Sequence, residues 1–406
     1  MKKILLVGAS LNSGNRGVNA LTRGTINSLI EQFEDVSVKI LSYSVRQKVV
    51  NTLTYNDKEL NVEEIPVNIK QNIQSLNIFK IIKMHRQIKK FILEADVVLD
   101  ISEGDSFSDI YGIKRFILHS IIKLYSVKFS EKFFLLPQTI GPFKRAWVKK
   151  SAKYLINGST KTFVRDSISY KVVTEELGVK DSHVEHYPDM AFYMKPNDNV
   201  NASVLKDLKK QGKTIIGLNI SGLLYNGGYT GKNMFDFKVD YKELIDHIVK
   251  YFMEEKDTVV ILVPHVIVKE MPVEDDLQTS ENIYRNLKQD YSSRVHIVND
   301  NLREDELKKI ISFCDFFIGG RMHACIGAIS TSVPTIPIAY SRKFAGIWND
   351  FGLGFCVADP RAQDIEEIIN IINNNYNNRL KIKEMLLEKN KYVKNNRNNM
   401  YKSMGL

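Results

Sequence analysis

The chain has 406 residues, 44% of them hydrophobic, and a formal net charge of +10 at pH 7. This length favours two domains, each with a full core. The apolar runs, such as residues 259–263, are far shorter than the roughly 20 residues of a membrane-spanning helix, so no span is predicted. Three scattered cysteines exclude a disulfide framework and a cysteine metal cluster, which favours a reducing, cytoplasmic setting and predicts no metal site.

The chain begins with a basic and apolar stretch, MKKILLVG, that no small-residue cleavage signal follows. It is therefore predicted to be a β-strand rather than a signal peptide. Apolar runs typical of buried strands recur after it, separated by stretches with helical periodicity. They are residues 3–8, 36–43, 96–102, 132–138, 161–165, 214–220, 258–265, 295–298, 315–319 and 333–340. The alternation predicts an α/β protein with mostly parallel sheets covered on both faces.

A polar stretch at 195–213 divides these elements into two series. We therefore predict two Rossmann-like domains, 1–194 and 195–363, that face each other across a cleft. The remaining residues, 364–406, are basic, rich in asparagine and predicted to form C-terminal helices.

Two segments carry much of the positive charge. Residues 379–402 contain eight basic and two acidic residues. In residues 78–93 helical spacing places isoleucines near one face of a helix and basic residues largely on the other. The isoleucines are Ile78, Ile81, Ile82, Ile88 and Ile92, and the basic residues are Lys80, Lys83, Arg86, Lys89 and Lys90. The simpler interpretation is an ordinary surface helix. The alternative is peripheral contact with an anionic membrane. Nucleic acid is not expected as a partner, because no aromatic residues alternate with the charges.

The stretch FFIGGRMHACIGAIS (316–330) brings an arginine and a histidine to one turn. A buried strand is predicted to end at Gly319, and a helix with small residues follows, so Arg321 and His323 lie where ligands bind in open α/β sheets. Free N–H groups at a helix start favour anions, and Gly320 allows close approach of a ligand to the backbone. Arginine can hold a phosphate or carboxylate at two points, and histidine can transfer a proton near neutral pH. The turn predicts an anion pocket; alternatively, Arg321 pairs with a local carboxylate and His323 is an interior residue.

The segment GGRMHACIGAISTSVPTIPIAYSRKFAGIW (319–348) resembles the signature of the polysaccharide pyruvyl transferase family. The first loop and helix, VGASLNSGNRGVNALTRGTINSLI (7–30), resemble the same family. Between them LLPQTIGPF, FVRDSISYKVVTEELGV and YPDMAF follow the family's order. The resemblance covers roughly residues 1–360.

The resemblance implies a fold like that of the GT-B glycosyltransferases, with the acceptor on the first domain and the donor on the second. It implies phosphoenolpyruvate as donor and co-substrate, no further cofactor, and a pair of hydroxyls on a saccharide as acceptor, in free or lipid-linked form. Arg321 and His323 would bind the donor, with Gly320 and Met322 in the same turn. An arginine from the first half would join them, for which Arg165 is our candidate; its alternative role is a salt bridge with Asp166 or Glu175.

Ketal formation also needs a proton donor and a base, and His323 is our candidate for a phosphate ligand or the acid. The loop LDISEGDSFSD (99–109) offers a group of carboxylates at a strand end, and Asp105 is our candidate; a solvated turn is the alternative. This loop lacks the run of glycines common in the family.

Asn12 and Asn15 are candidate acceptor ligands, although such turns also form for backbone reasons. His265 is a candidate to line the cleft or, equally, a core residue.

The same residues bear on three other functions. A dinucleotide enzyme is disfavoured, because the first loop lacks G-x-G-x-x-G and no acidic residue follows the second strand. A GT-B glycosyltransferase with a nucleotide-sugar donor is the main alternative. Such enzymes often carry a ribose-binding glutamate where this chain has Gly327, and no acidic residue occurs between Phe316 and Trp348. The third alternative is a saccharide-binding protein without catalysis.

Overall fold

In the computed structural model, which describes residues 1–56, 58–67, 78–254, 256–291 and 293–406, the chain forms two compact units. The first unit comprises residues 1–13, 18–194 and 395–406, and the second comprises 14–17 and 195–394. The main division of the chain falls between Met194 and Lys195. Residues 364–406 do not stand apart, because the second unit contains 364–394 and the first contains the rest.

The first unit is built on an eight-stranded sheet in the order β3-β4-β2-β1-β5-β6-β7-β8. Its strands are β1 (Lys2–Val7), β2 (Val36–Ser42), β3 (Val49–Tyr55), β4 (Lys58–Pro66), β5 (Val97–Asp100), β6 (Phe133–Gln138), β7 (Lys161–Val164) and β8 (Val184–His186). All neighbours are parallel except β3 and β4. The sequence did not predict β3, β4 or β8, because their mixed polar residues lack the continuous apolar run of a buried strand.

The helices of this unit are α1 (Arg16–Gln32, whose first two residues belong to the second unit), α2 (Ile78–Glu94), α3 (Ile113–Phe129), α4 (Ala146–Asn157) and α5 (Ser167–Lys171). Helices α2, α3 and α4 share one core with β1 and β5. As predicted, Ile88 and Ile92 of α2 are buried, but Ile82 is exposed. The side chains of Ile78, Ile81 and Lys80 lie outside the described residues.

The second unit contains a five-stranded parallel sheet in the order β11-β10-β9-β12-β13. Its strands are β9 (Thr214–Asn219), β10 (Thr258–Leu262), β11 (Val295–Ile297), β12 (Phe316–Gly319) and β13 (Thr335–Pro337). Its helices are α6 (Ser203–Lys210), α7 (Gly222–Tyr225), α8 (Tyr241–Glu254), α9 (Asp276–Tyr291), α10 (Glu304–Ile311), α11 (Met322–Ser330), α12 (Arg342–Asp350), α13 (Ile365–Asn377) and α14 (Arg379–Ser403, which ends in the first unit). The ten strands predicted from the sequence are all present.

The C-terminal helices are present as predicted, and they are well anchored. Asp364 caps α13 by accepting a hydrogen bond of 2.8 Å from the amide of Glu367. Near the end of α14, Tyr401 is fully buried and Arg397 forms an ion pair with Glu31. Within the described ranges, no helix combines the length and hydropathy that crossing a membrane requires.

Replacing Gly24 with alanine tests the packing of α1 in the first unit. An added Cβ would lie 2.0 Å from the carbonyl oxygen of Met190, a backbone atom that no side-chain rotation can move. Gly24→Ala should therefore lower the free energy of unfolding by about 1–3 kcal/mol, measured by urea unfolding.

The matched control is Gly327→Ala in α11. Its Cβ would lie 3.7 Å from Cδ1 of Ile311, an ordinary contact. The helix propensity of alanine should then raise the free energy of unfolding by up to about 1 kcal/mol. Changes of the same sign in the two variants would contradict this account of the packing.

Candidate functional site

The site lies at the carboxyl end of the sheet in the second unit, where the strand order changes direction. Strand β9 pairs with β10 on one side and with β12 on the other. Ligands of open α/β sheets bind at such a switch point. The residues that follow β9, β10 and β12 therefore define the candidate site.

Arg321 is fixed to the end of β9 by its backbone. Its amide donates a hydrogen bond of 2.8 Å to Oδ1 of Asn219, the last residue of β9. Gly320 has little free space, because a Cβ there would lie 2.8 Å from the hydroxyl of Tyr241. In this structure the glycine is thus needed for the protein's own packing, whereas the sequence analysis attributed it to ligand approach.

The guanidinium of Arg321 is buried against Asp276, the first residue of α9. Nη2 lies 2.7 Å and Nε lies 3.1 Å from Oδ1 of Asp276, and Nη2 also donates to the carbonyl of Glu274 at 2.9 Å. Burial alone would lower the pKa of Arg321, but the charge of Asp276 outweighs it and raises the pKa above its usual value. Arg321 therefore remains a cation, and the local carboxylate that the sequence left as an alternative partner is present.

Asp276 holds three chain segments together. Besides Arg321, it accepts hydrogen bonds from the amides of Gly222 at 2.8 Å, His265 at 3.2 Å and Val266 at 3.0 Å. Its side chain is completely buried. Sequence reasoning missed Asp276, because an acidic residue at a helix start reads as an ordinary capping residue.

His265, whose amide binds Asp276, is a neutral residue of the site. It is buried, and its pKa is well below 6.5, first because of burial and then because its charged form interacts unfavourably with His323, Arg16 and Arg321. The imidazole is consequently uncharged near neutral pH and can donate or accept a hydrogen bond.

Within the second unit, the short segment 14–17 lies against His265 and His323. The amide of Arg16 donates to the carbonyl of His265 at 3.2 Å, and its guanidinium donates to Asn301 at 2.6 Å. Burial lowers the pKa of Arg16, and the charges of Glu304 and Glu306 partly offset this. Sequence reasoning missed Arg16, because only the glycines and asparagines of the first loop were considered as ligands.

His323, in the first turn of α11, is half-buried and contacts the same segment. A Cβ on Gly17 would lie 2.4 Å from Nδ1 of His323. Met322, also a predicted ligand residue, has its side chain in the core, so only its backbone is suited to ligand contact. Arg321, His323, His265 and Arg16 thus form one group of residues at the switch point, and its two arginines are positively charged.

The other residues predicted from the sequence have identifiable partners. Asn15 accepts a hydrogen bond from the amide of Gly17 at 2.9 Å, and Asn12 donates to Glu64 at 2.7 Å in the first unit. Arg165 forms a buried ion pair of 2.6 Å with Asp189, a partner that the sequence analysis did not name.

The loop after β5 in the first unit holds most of its carboxylates in ion pairs. Asp100 lies 3.0 Å from the ammonium of Lys123, which is completely buried, and Asp109 lies 3.1 Å from Arg145. Burial alone would raise the pKa of Glu103, but the hydrogen bond and charge of His119, with Arg115, lower it to about 2.

Asp105, the candidate base in this loop, is partly exposed. It accepts a hydrogen bond of 2.7 Å from the hydroxyl of Tyr111. The described residues contain no group of three or more histidine, cysteine or carboxylate side chains arranged to hold a metal ion.

Comparison with solved structures identifies the fold class as GT-B-like. The trehalose-phosphate synthase of Burkholderia xenovorans, solved with glucose-6-phosphate, superimposes with a TM-score of 0.56 at 11% identity, over 100% of both chains. The UDP-GlcNAc 2-epimerase of Neisseria meningitidis, solved with UDP-GlcNAc, has a TM-score of 0.58 at 11% identity, over 99% of both chains.

The family model described as polysaccharide pyruvyl transferase matches residues 15–342. The chain therefore belongs to the polysaccharide pyruvyl transferase family, as the resemblance predicted. A curated relative, the amylovoran biosynthesis protein AmsJ of Erwinia amylovora, is 22% identical over 378 residues, which cover 89% of this chain and 88% of the relative.

The pKa of His265 predicts how stability depends on pH. The unfolded chain takes up a proton on this histidine below about pH 6.5, whereas the folded chain does not. As the pH falls below that value, the free energy of unfolding should decrease by up to about 1.4 kcal/mol per pH unit, until the folded pKa is reached.

Urea unfolding between pH 8 and pH 5 measures this contribution. His265→Gln should make the decrease shallower, whereas His247→Gln, at an exposed position of α8, should leave it unchanged. Equal slopes in wild type and His265→Gln would contradict the neutral state of His265.

Proposed function

We propose that the protein transfers pyruvate from phosphoenolpyruvate to two hydroxyls of a saccharide, forming a pyruvate ketal. The observation that carries this proposal is the convergence of Arg321, Arg16, His323 and His265 at the switch point of the second unit. Family membership supports the class of transferase, and the geometry supports a small, highly anionic donor.

Phosphoenolpyruvate matches the charge and size of this group. It carries a phosphate and a carboxylate on the same carbon, and two arginines can neutralise both. Nη1 of Arg321 has no hydrogen-bond partner within the described part of the chain, since Asp276 and Glu274 engage Nε and Nη2. Together with the backbone N–H groups that start α11, it offers donors for an anion.

The proposed reaction balances the protons lost by the two hydroxyls against one proton gained at C3 and one that leaves with phosphate. C3 of the donor gains a proton as the first sugar hydroxyl, losing its own proton to a base, bonds to C2. The C2–O bond to phosphate then breaks, and the second hydroxyl bonds to C2 and closes the ring. The proton of the second hydroxyl leaves with inorganic phosphate. His323 is the proposed phosphate ligand or acid, and Asp105 the proposed base.

We propose a saccharide of extracellular polysaccharide assembly as acceptor, since the relative AmsJ is named for amylovoran biosynthesis. Its attachment to a carrier lipid is part of this proposal. A cytoplasmic location is also proposed, because the three cysteines are free and buried, as is common in a reducing compartment.

A nucleotide-sugar glycosyltransferase is the competing function. The similar structures named above include enzymes that use or bind UDP compounds, and the fold is shared with them. The absence of an acidic residue between Phe316 and Trp348 disfavours a donor with a ribose, because no carboxylate in that segment can bind its hydroxyls.

Thermal unfolding with phosphoenolpyruvate tests donor choice. At 100 times Kd a ligand adds about 2.7 kcal/mol to the free energy of unfolding, which should raise Tm by roughly 5–11 °C. UDP at the same concentration should have no comparable effect. A rise with UDP and none with phosphoenolpyruvate would favour the glycosyltransferase.

Arg16→Ala should reduce the rise in Tm caused by phosphoenolpyruvate, because one of the proposed anion ligands is lost. The matched control is Arg285→Ala, which removes an exposed arginine of the same unit and should preserve the rise. An unchanged rise in Arg16→Ala would remove Arg16 from the donor site.

Asp105→Asn tests the proposed base separately from donor binding. With an acceptor found by screening saccharides for phosphate release, turnover should fall about 10²- to 10⁴-fold, while the rise in Tm with phosphoenolpyruvate persists. Asp257→Asn, at an exposed position, is the control. Normal turnover in Asp105→Asn would exclude this residue as the base.

A further inference from the structure

The outer surface of α3 and α4, in the first unit, combines exposed aromatic and apolar residues with lysines. The two helices pack side by side, and the ring of Trp147 in α4 meets that of Phe116 in α3 edge to face at 6.0 Å. Their exposed apolar residues are Ile117, Leu124, Trp147 and Tyr154. We call this surface, with the exposed Lys114, Lys128, Lys150 and Lys153, the basic helical face.

The charge of this part of the chain is strongly one-sided. Residues 110–157 contain ten basic residues and one acidic residue, Glu131. The difference, 10 − 1 = +9, nearly equals the net charge of +10 of the whole chain. Four of the ten basic residues are compensated by carboxylates outside this range, since Lys123, Arg115, Arg145 and Lys149 pair with Asp100, Glu103, Asp109 and Glu176. The exposed Lys114, Lys128, Lys150 and Lys153 supply the positive charge that attracts an anionic partner.

The aromatic residues on α4 have a spacing that suits a membrane interface. Trp147 and Tyr154 are seven residues apart and Lys150 lies between them, so all three share one face of the helix. Tryptophan and tyrosine are enriched where lipid headgroups meet water. Lysine extends its charge into water while its apolar stem contacts lipid.

A protein partner explains this pattern less well. The exposed apolar side chains are separated by lysines, and lysine is depleted at the centres of protein interfaces. A soluble polyanion would account for the lysines but would leave the exposed Trp147, Tyr154 and Ile117 without a role.

We propose that the basic helical face binds the surface of an anionic lipid bilayer, with Trp147 and Tyr154 entering the headgroup region. Helix α2, which packs beside α3, adds the exposed Lys83, Arg86 and Lys90 to the same positively charged region. From the sequence alone, α2 and the C-terminal tail are the candidate membrane-contacting segments. The structure instead assigns the centre of contact to α3 and α4.

This surface continues into the loop of the candidate base. The hydroxyl of Tyr111 donates to Asp105 at 2.7 Å, and Arg115 of α3 pairs with Glu103 at 2.7 Å. A saccharide carried on a membrane lipid would thus be held near Asp105. The binding of lipid itself does not rest on the proposed function.

Intrinsic fluorescence can test this directly, because the chain has two tryptophans. Trp147 is 48% exposed and Trp348 is 0% exposed, so a change in tryptophan environment on binding reports on Trp147. Vesicles of phosphatidylglycerol and phosphatidylcholine at low salt should shift the emission to shorter wavelength and sediment the protein. Pure phosphatidylcholine vesicles should do neither, and Trp147→Phe should abolish the spectral shift.

Two matched double variants locate the contact. Lys150→Gln with Lys153→Gln should weaken binding to the anionic vesicles about 30-fold. Lys381→Gln with Lys389→Gln removes the same charge from exposed positions of α14 and should leave binding unchanged. Equal Tm values would establish that both variants fold normally.

Three results would overturn the proposal. One is the absence of a spectral shift on anionic vesicles, and another is weakening by the α14 variant instead of the α4 variant. The third is an equal shift with soluble polyacrylate, which would assign the surface to a polyanion rather than to lipid. Loss of phosphoenolpyruvate binding would not bear on any of these measurements, so failure of the proposed function remains distinguishable.

Discussion

The buried carboxylate of Asp276 is the interaction on which the candidate site depends. It accepts hydrogen bonds from two nitrogens of the Arg321 guanidinium and from the backbone amides of Gly222, His265 and Val266. These contacts join the segments that follow β9, β10 and β12. Removing one partner of a buried ion pair typically costs about 3–5 kcal/mol, because the remaining charge stays buried. Asp276 therefore determines both the position and the charge of Arg321.

Around this ion pair the protein keeps a cationic group without excessive repulsion. Arg321 is compensated by Asp276, and Arg16 by Glu304 and Glu306, whereas His265 is neutral because burial and its cationic neighbours disfavour its protonation. An arriving anion would lower the repulsion among these groups. The site is thus arranged to gain more from a multiply charged ligand than from a neutral one, in agreement with the proposed donor.

Much of the fold could be predicted from the sequence, because buried parallel strands leave continuous apolar runs. The ten predicted strands depend on that signal, whereas the predicted division after residue 194 depends on the polar stretch at 195–213. Strands β3 and β4 mix polar with apolar residues, so the sequence did not predict them. At the site, the turn of Arg321 and His323 was evident from its neighbours in sequence. Asp276, which binds Arg321, and Arg16, which donates to the carbonyl of His265, were not evident, since each belongs to a distant segment of the chain. The roles of Arg165 and Asp105 stay predictions.

A crystal structure of the protein with phosphoenolpyruvate would test the central claim most directly. We expect density for the donor at the start of α11, with its phosphate or carboxylate within hydrogen-bonding distance of Nη1 of Arg321 and contacts to Arg16 and His323. Binding of the donor elsewhere, with this turn unaltered, would contradict the assignment of the second unit as the donor site.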